Sequence, residues 1–431
     1  MKLLILSISL LLLFIGVMPE HHINFTDFRN NFVTGYRSLN IPDLHLSYAE
    51  NFQHIQSEFN IQKQIDFFQQ VKKNVATYKK ELLIASEQDD LDLIEYETSL
   101  NLQRLTLEKK WVSKKPAVIS MNNFHSIPDD SAWYVYFLKR WMGADVNPDE
   151  LYLNGMEEIK RVKQHIEDIR LQTGMDSAQF YQHLNDSSFF ITGESQVQQS
   201  FEHTKNIILK NLPNVFNTYS VPDVSIKRGA NTEFAQTPGY YSNNTFYFNY
   251  FDKPYNKRQT GWLFIHEAIP GHHYQASVAA QMNRSAVQQL FNYPGFSEGW
   301  AAYTEELGKE LGAYQTLYDE LGKWEWDLVR SVRVPLDVGL NYYGWTDEKA
   351  LAFWKQYIPD KDDIAIYEIN RMRRWPAQVI TYKYGAAQIM KWKELMQAKQ
   401  GDYFDIKAFH DKVLEHGSLP LFLVEKNVFR K

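Results

Sequence analysis

The spacing of apolar residues constrains this chain more than any other feature. From about Ala49 to Trp111 they recur three and four positions apart, as in Phe59, Ile61, Ile65, Phe68 and Val71, with polar residues between them. That period belongs to an amphipathic α-helix with one buried face. Asn147-Pro148-Asp149-Glu150 has the form of an N-cap followed by Pro in the first turn, and the helical pattern runs from there to Gly174, a C-cap residue. Three helix-length segments follow to Phe216. From Arg258 to Lys399 the pattern is again helical, with breaks expected at Pro270, Pro294, Pro335, Pro359 and Pro376.

One stretch departs from this. Within Val221 to Phe251, the run Thr245-Phe246-Tyr247-Phe248-Asn249-Tyr250 follows a turn-like Ser242-Asn243-Asn244 and is rich in strand formers. The expected fold is mainly α: a large helical unit with a small β hairpin or sheet beside the most informative segment, where it can wall a cleft. No repeat, low-complexity tract or Pro/Gly/Ser linker divides the chain. Residues 21–431 are therefore expected to form a single domain, with about 21–220 as a helical cover and 221–431 as the chemical half.

Composition narrows the chemistry. The 431 residues include no cysteine, which excludes disulfides, thiolate zinc sites, thiol catalysis and an acylated cysteine. Any metal must be held by His, Asp and Glu. Forty-six Lys+Arg against fifty-two Asp+Glu leave a net charge of −6 without a long run of either sign, which argues against nucleic acid as a partner. Lys2 and the apolar run Leu3–Met18 read as an export signal over residues 1–20, or as an uncleaved anchor, the one expected contact with a membrane. The expected location is outside the cytoplasm: periplasm, cell envelope or medium.

The chemistry concentrates between His266 and Glu298. His266-Glu267-Ala268-Ile269-Pro270-Gly271-His272-His273 places three histidines and a glutamate within eight residues. In the zinc-peptidase pattern H-E-x-x-H two histidines one turn apart chelate the metal, but here the fourth residue after His266 is Pro270. An undistorted helix does not rescue the site. His272 would be rotated about 120° from His266, and His273 would lie about 10 Å further along the axis. Pro270 cannot donate to the carbonyl of residue 266, and Gly271 permits unusual dihedrals, so the helix should kink or bulge there. Looping out two residues brings His272 to the place of the missing ligand, which favours it over His273.

Phe296-Ser297-Glu298-Gly299-Trp300 supplies an acid twenty-six residues after His272. Ser297 is a candidate cap for its helix, and Gly299 would let that helix pass close to the first. His266, His272 and Glu298 would leave a fourth zinc position open, the catalytic arrangement. Zinc is the expected cofactor, one per chain, although the same donors suit manganese or cobalt.

These segments resemble the bacterial family called domain of unknown function 885 (DUF885), a helical, zinc-metallopeptidase-like group akin to the gluzincins. The resemblance runs from about Gly239 to Val424. It continues through Arg330-Ser331-Val332-Arg333-Val334-Pro335-Leu336-Asp337, Gly344-Trp345-Thr346, Glu368-Ile369-Asn370-Arg371, Trp375-Pro376-Ala377-Gln378 and Tyr382-Lys383-Tyr384-Gly385. Two positions depart from the usual pattern, Asn341 standing for His and Ala377 for Gly, and family members are usually longer in the N-terminal half.

The resemblance implies metal-dependent hydrolysis of peptide bonds in short peptides. Glu267 would take a proton from the attacking water and deliver it to the leaving amine, and Tyr382 would donate to the oxyanion, as in related helical peptidases. Arg330, Arg333 and Arg371 are candidates for gripping a substrate carboxylate, as in a carboxypeptidase or dipeptidase; the competing reading pairs them with Asp337 and Glu368. The strand carrying Asn249 could pair with an extended peptide, and His273 could face substrate, support a ligand, stand in for His272 as a ligand or simply pack. An amidase or isopeptidase acting on cell-wall fragments, and a metal-holding binding protein without turnover, are the alternatives.

Overall fold

The computed structural model describes residues 24–430 apart from 43–46, 115–122, 233, 234, 236, 252 and 360. The expected export segment lies outside the described residues. Among the described residues no helix is long and apolar enough to cross a membrane.

The N-terminal region begins with α1 (Phe25–Ser38), α2 (Tyr48–Gln53), α3 (Glu58–Val75) and α4 (Ala85–Lys114). The Ala49–Trp111 periodicity is thus carried by three separate helices. Ser47 and Ser57 accept from the backbone N–H groups of Glu50 and Asn60 and restart the helix twice. Then come α5 (Asp130–Met142), α6 (Pro148–Thr173), α7 (Ser177–His183) and α8 (Glu194–Asn211). Asn147 caps α6 and Gly174, at φ 72°, ends it. Between Gly174 and Phe216 a short strand stands in place of a third helix.

The strands are β1 (Phe190–Ile191), β2 (Ser225–Arg228), β3 (Gly239–Ser242), β4 (Thr245–Phe248) and β5 (Tyr255–Asn256). β1 pairs antiparallel with β5. β2, β4 and β3 form a second sheet in that order, β4 parallel to β2 and antiparallel to β3. Asn243 and Asn244, both at positive φ, join β3 to β4 in the tight turn that suits a two-residue hairpin loop. β4 is central, with both edges paired, so it cannot receive a peptide strand; the outer strands are β2 and β3, of which β3 lies at the cavity.

The remaining helices are α9 (Thr260–Glu267), α10 (His272–Gln281), α11 (Pro294–Thr304), α12 (Leu317–Asn341), α13 (Asp347–Tyr357), α14 (Asp362–Arg374), α15 (Thr381–Gln400), α16 (Ile406–Leu414) and α17 (Leu421–Val428). Pro270 separates α9 from α10 and Pro294 opens α11, whereas Pro335 sits inside α12 without ending it. A notch in α6 receives that proline: a Cβ at Gly155 would lie 2.7 Å from Pro335 Cδ. Packing against α6 overrides the local tendency to break.

One buried cluster joins Phe28 and Phe68 to Phe264, Trp300 and Leu423; a second joins Phe52 and Trp133 to Val332 and Met372. Each draws on both sides of residue 220, so the cover and the chemical half share their cores. Gly299 does bring two helices together, but its neighbour is α15: a Cβ there would lie 2.4 Å from Gly385 Cα. This contact places Glu298 and Tyr382, from α11 and α15, at one cavity.

Candidate metal centre

The segment between α9 and α10 departs from the helix over four residues. Ala268 leaves helical dihedrals, the Ile269–Pro270 bond is cis, and Gly271 re-enters at φ −74°, ψ −129°. The backbone remains bonded throughout. Gly271 N–H donates to Ile265 O at 2.9 Å and Tyr274 N–H to Ala268 O at 3.1 Å. Only glycine fits at 271, because a Cβ would lie 1.9 Å from the His266 carbonyl oxygen. Trp300, fully buried on α11, donates its indole N–H to Pro270 O at 2.9 Å and ties the break to the helix that carries Glu298.

This geometry turns His272 onto His266, with ring centroids 4.9 Å apart and planes at 85°. Glu298 Oε2 lies 3.2 Å from His272 Nε2 and 3.7 Å from His266 Nε2. Two donors each about 2.1 Å from a tetrahedral cation stand about 3.4 Å apart. The two carboxylate–imidazole distances bracket that separation, and the three ligand atoms lie within 4.8 Å of one another. Glu298 Oε2 is buried, and its polar neighbours are the two imidazoles rather than a well-aligned hydrogen-bond donor. Ser297 does not cap α11, which starts three residues earlier at Pro294; it lines the cavity instead.

Outside the triad, His266 Nδ1 lies 2.8 Å from Glu305 Oε1. A proton held there leaves Nε2 with its lone pair toward the cluster. Arg330 Nη1 contacts both oxygens of Glu305, at 2.5 and 2.7 Å. Burial alone would lower the His266 pKa, as would Arg330, but Glu298 and Glu305 raise it to about 9. For Glu298 burial acts upward, yet His272 and His266 hold it below the usual carboxylate range. Both directions show how strongly the site favours positive charge among these donors.

The triad opens on a cavity of about 1160 Å³ whose walls include β3, α9–α12 and α14. Glu267 lines it and makes no hydrogen bond among the described residues. Burial and the Glu298 carboxylate push its pKa up, while His266, His272 and Arg330 pull the other way. Tyr382 also lines it, its ring stacked 6.0 Å from that of His266. Arg371 Nη2 donates to the Tyr382 hydroxyl oxygen at 3.2 Å, which leaves the phenolic hydrogen free for another acceptor. Burial raises the Tyr382 pKa, so it is a neutral donor.

The cavity brings Arg330, Arg333 and Arg371 to one wall. Arg330 is neutralised by Glu305 and Arg333 by Glu368, at 2.6 Å. Asp337 pairs with none of them; it accepts from the Tyr134 hydroxyl at 2.7 Å and from the Ala377 N–H.

Two candidate substrate residues are placed elsewhere. Asn249 lies beyond the end of the central strand, its amide donating to Thr237 O at 2.8 Å, and it does not line the cavity. His273 is fully buried on the other face of α10, with Nε2 2.8 Å from Pro222 O and Nδ1 3.1 Å from the Tyr241 hydroxyl. It holds β3, and with it the cavity wall, rather than a ligand. Glu305 escapes sequence reasoning, although it follows Glu298 by seven positions, two helical turns that restore the same face.

Two solved structures share the fold. A candidate lipoprotein of unknown function from Shewanella oneidensis superimposes with a TM-score of 0.74 at 18% identity, over 95% of this chain and 100% of that one. A candidate lipoprotein from Colwellia psychrerythraea gives 0.66 at 22% identity, over 93% of this chain and 69% of that one. No curated protein matches the sequence. Residues 106–428 match the family described as "Bacterial protein of unknown function (DUF885)". The chain belongs to that DUF885 family.

Proposed function

We propose that this protein is an exported, zinc-dependent hydrolase of peptide bonds in short peptides. The observation that carries the reading is the convergence of His266, His272 and Glu298 beside an unbonded Glu267 on one cavity wall. Two imidazoles and one carboxylate are the donor set of a catalytic zinc site with an open position. When bound, a zinc ion supplies Lewis acidity, polarising a carbonyl and making water easier to deprotonate.

The chain's own groups do the rest. Glu267, with its raised proton affinity, takes the proton of the attacking water and returns it to the leaving amine. Tyr382, held by Arg371 at its oxygen, donates its hydrogen to the oxyanion. β3, the outer strand at the cavity, offers backbone groups to an extended peptide. Export is supported by the apolar run Leu3–Met18 and by fold relatives described as lipoproteins. This sequence has no cysteine to acylate, so export here would not lead to that lipid anchor.

The test is hydrolysis of a short-peptide library by the zinc-loaded chain, wild type beside Glu267→Gln. Turnover that falls by about 100-fold or more in the variant while zinc is retained supports the reading. Equal turnover in the two proteins, or none in the wild type, rejects it.

A further inference from the structure

We infer that Arg371 receives the C-terminal carboxylate of the substrate, so that cleavage proceeds from the carboxyl end. The inference rests on the hydrolase reading above and deepens it.

Four arginines line the cavity, and they are not equivalent. Arg330 is taken up by Glu305 and Arg333 by Glu368, while Arg374, half exposed at the rim, faces Glu50 at 3.6 Å. Arg371 alone of the four has no carboxylate partner among the described residues; it bonds Gln378 Oε1 at 2.7 Å and the Tyr382 hydroxyl at 3.2 Å, both from Nη2. Nη1 and Nε remain for a ligand. A guanidinium in a half-buried cavity with no carboxylate hydrogen-bonded to it attracts an anion. With both Nη2 hydrogens engaged, Nη1 and Nε, which face different edges of the guanidinium, each offer a single charge-assisted bond to a carboxylate.

Position supports the same occupant. Tyr382 bridges the two ends of the site, its hydroxyl on Arg371 and its ring 6.0 Å from His266. An extended residue spans about 3.5 Å. A carbonyl within reach of Tyr382 and a carboxylate on Arg371 are therefore separated by only one or two residues. The exposed amide of Asn370 lines the cavity next to Arg371, and Tyr367 and Trp375 offer aromatic surface for the released side chain.

Binding and turnover separate this inference from the one beneath it. The full chain carrying Glu267→Gln is titrated by calorimetry with N-benzoylglycyl-phenylalanine and with its C-terminal amide. The acid is expected to bind roughly tenfold or more tightly than the amide. Adding Arg371→Gln should bring the ratio close to one, and Arg371→Lys, which keeps the charge but not the guanidinium held by Gln378 and Tyr382, should leave an intermediate preference. Equal affinities, no binding of the acid, or a preference that survives Arg371→Gln overturns the assignment. With Glu267 intact, losing Arg371 as a support of Tyr382 would slow acid and amide alike, whereas losing the carboxylate contact slows the acid only. Acid preference without turnover would keep Arg371 in place and reject the hydrolase; turnover without preference would do the reverse.

Discussion

Glu305 Oε1 stands 2.8 Å from Nδ1 of His266 and shares its carboxylate with Arg330. With the proton on Nδ1, donated to this buried carboxylate from outside the cavity, Nε2 keeps its lone pair toward the cluster. Glu305→Gln retains the size but weakens the hold on the Nδ1 proton. It should lower zinc affinity by about 10–100-fold, measured by competition with a chromogenic chelator. Unchanged affinity would show that Glu305 serves only to neutralise Arg330.

Gly271 is the tightest point of the break. With a Cβ 1.9 Å from the His266 carbonyl oxygen, Gly271→Ala must displace the backbone that aligns His272. The expected result is a loss of about 2 kcal/mol or more in stability together with lost zinc binding, read by thermal melts and metal analysis. A variant with wild-type zinc content would show that the break adapts.

Ala377 lies at φ 70°, in the left-handed region that favours glycine. The preceding Pro376 and the Ala377 N–H donating to Asp337 hold it there. Ala377→Gly should therefore stabilise the protein by about 1 kcal/mol in denaturant melts, partly offset by the extra freedom of the unfolded chain.

Asp337 itself makes stability depend on pH. Burial raises its pKa to about 7, although Tyr134, Ala377 and Asn341 donate to it and act downward. The native state keeps a proton that the unfolded chain releases near the ordinary aspartate value of 3.8. The unfolded state thus binds fewer protons between these values, and stability falls as pH rises through the window, by at most about 1.4 kcal/mol per pH unit from this group. Asp337→Asn should flatten this slope in melts taken from pH 4 to about 7; an unchanged slope would assign it to other groups.

How much was legible in the sequence follows from how local each signal is. Asn147 with Pro148 and Gly174 bound their helix because caps act within a turn. The Pro270-Gly271 pair marks the break between His266 and His272 for the same reason. Longer-range facts left no such trace. Pro335 continues its helix because Gly155, far away in sequence, opens a notch for it. Phe246–Phe248 is a central strand because β2 arrives from twenty residues upstream. Ser297 is bypassed as a cap because Pro294 starts the helix first, and His273 turns inward because the break reorients α10 as a whole. Asn249 falls past the end of its strand, where the chain bends toward Thr237. Among the arginines the sequence offers three similar candidates, and only their pairing with Glu305 and Glu368 sets Arg371 apart.

The central claim is that His266, His272 and Glu298 hold one catalytic metal ion. The most direct measurement is elemental analysis of the chain lacking residues 1–20 after zinc reconstitution, wild type beside His272→Ala and Glu298→Ala. The account predicts about one zinc per chain in the wild type, consistent with a single three-donor site, and its loss in both variants. A metal-free wild type, or zinc retained in both variants, would contradict it.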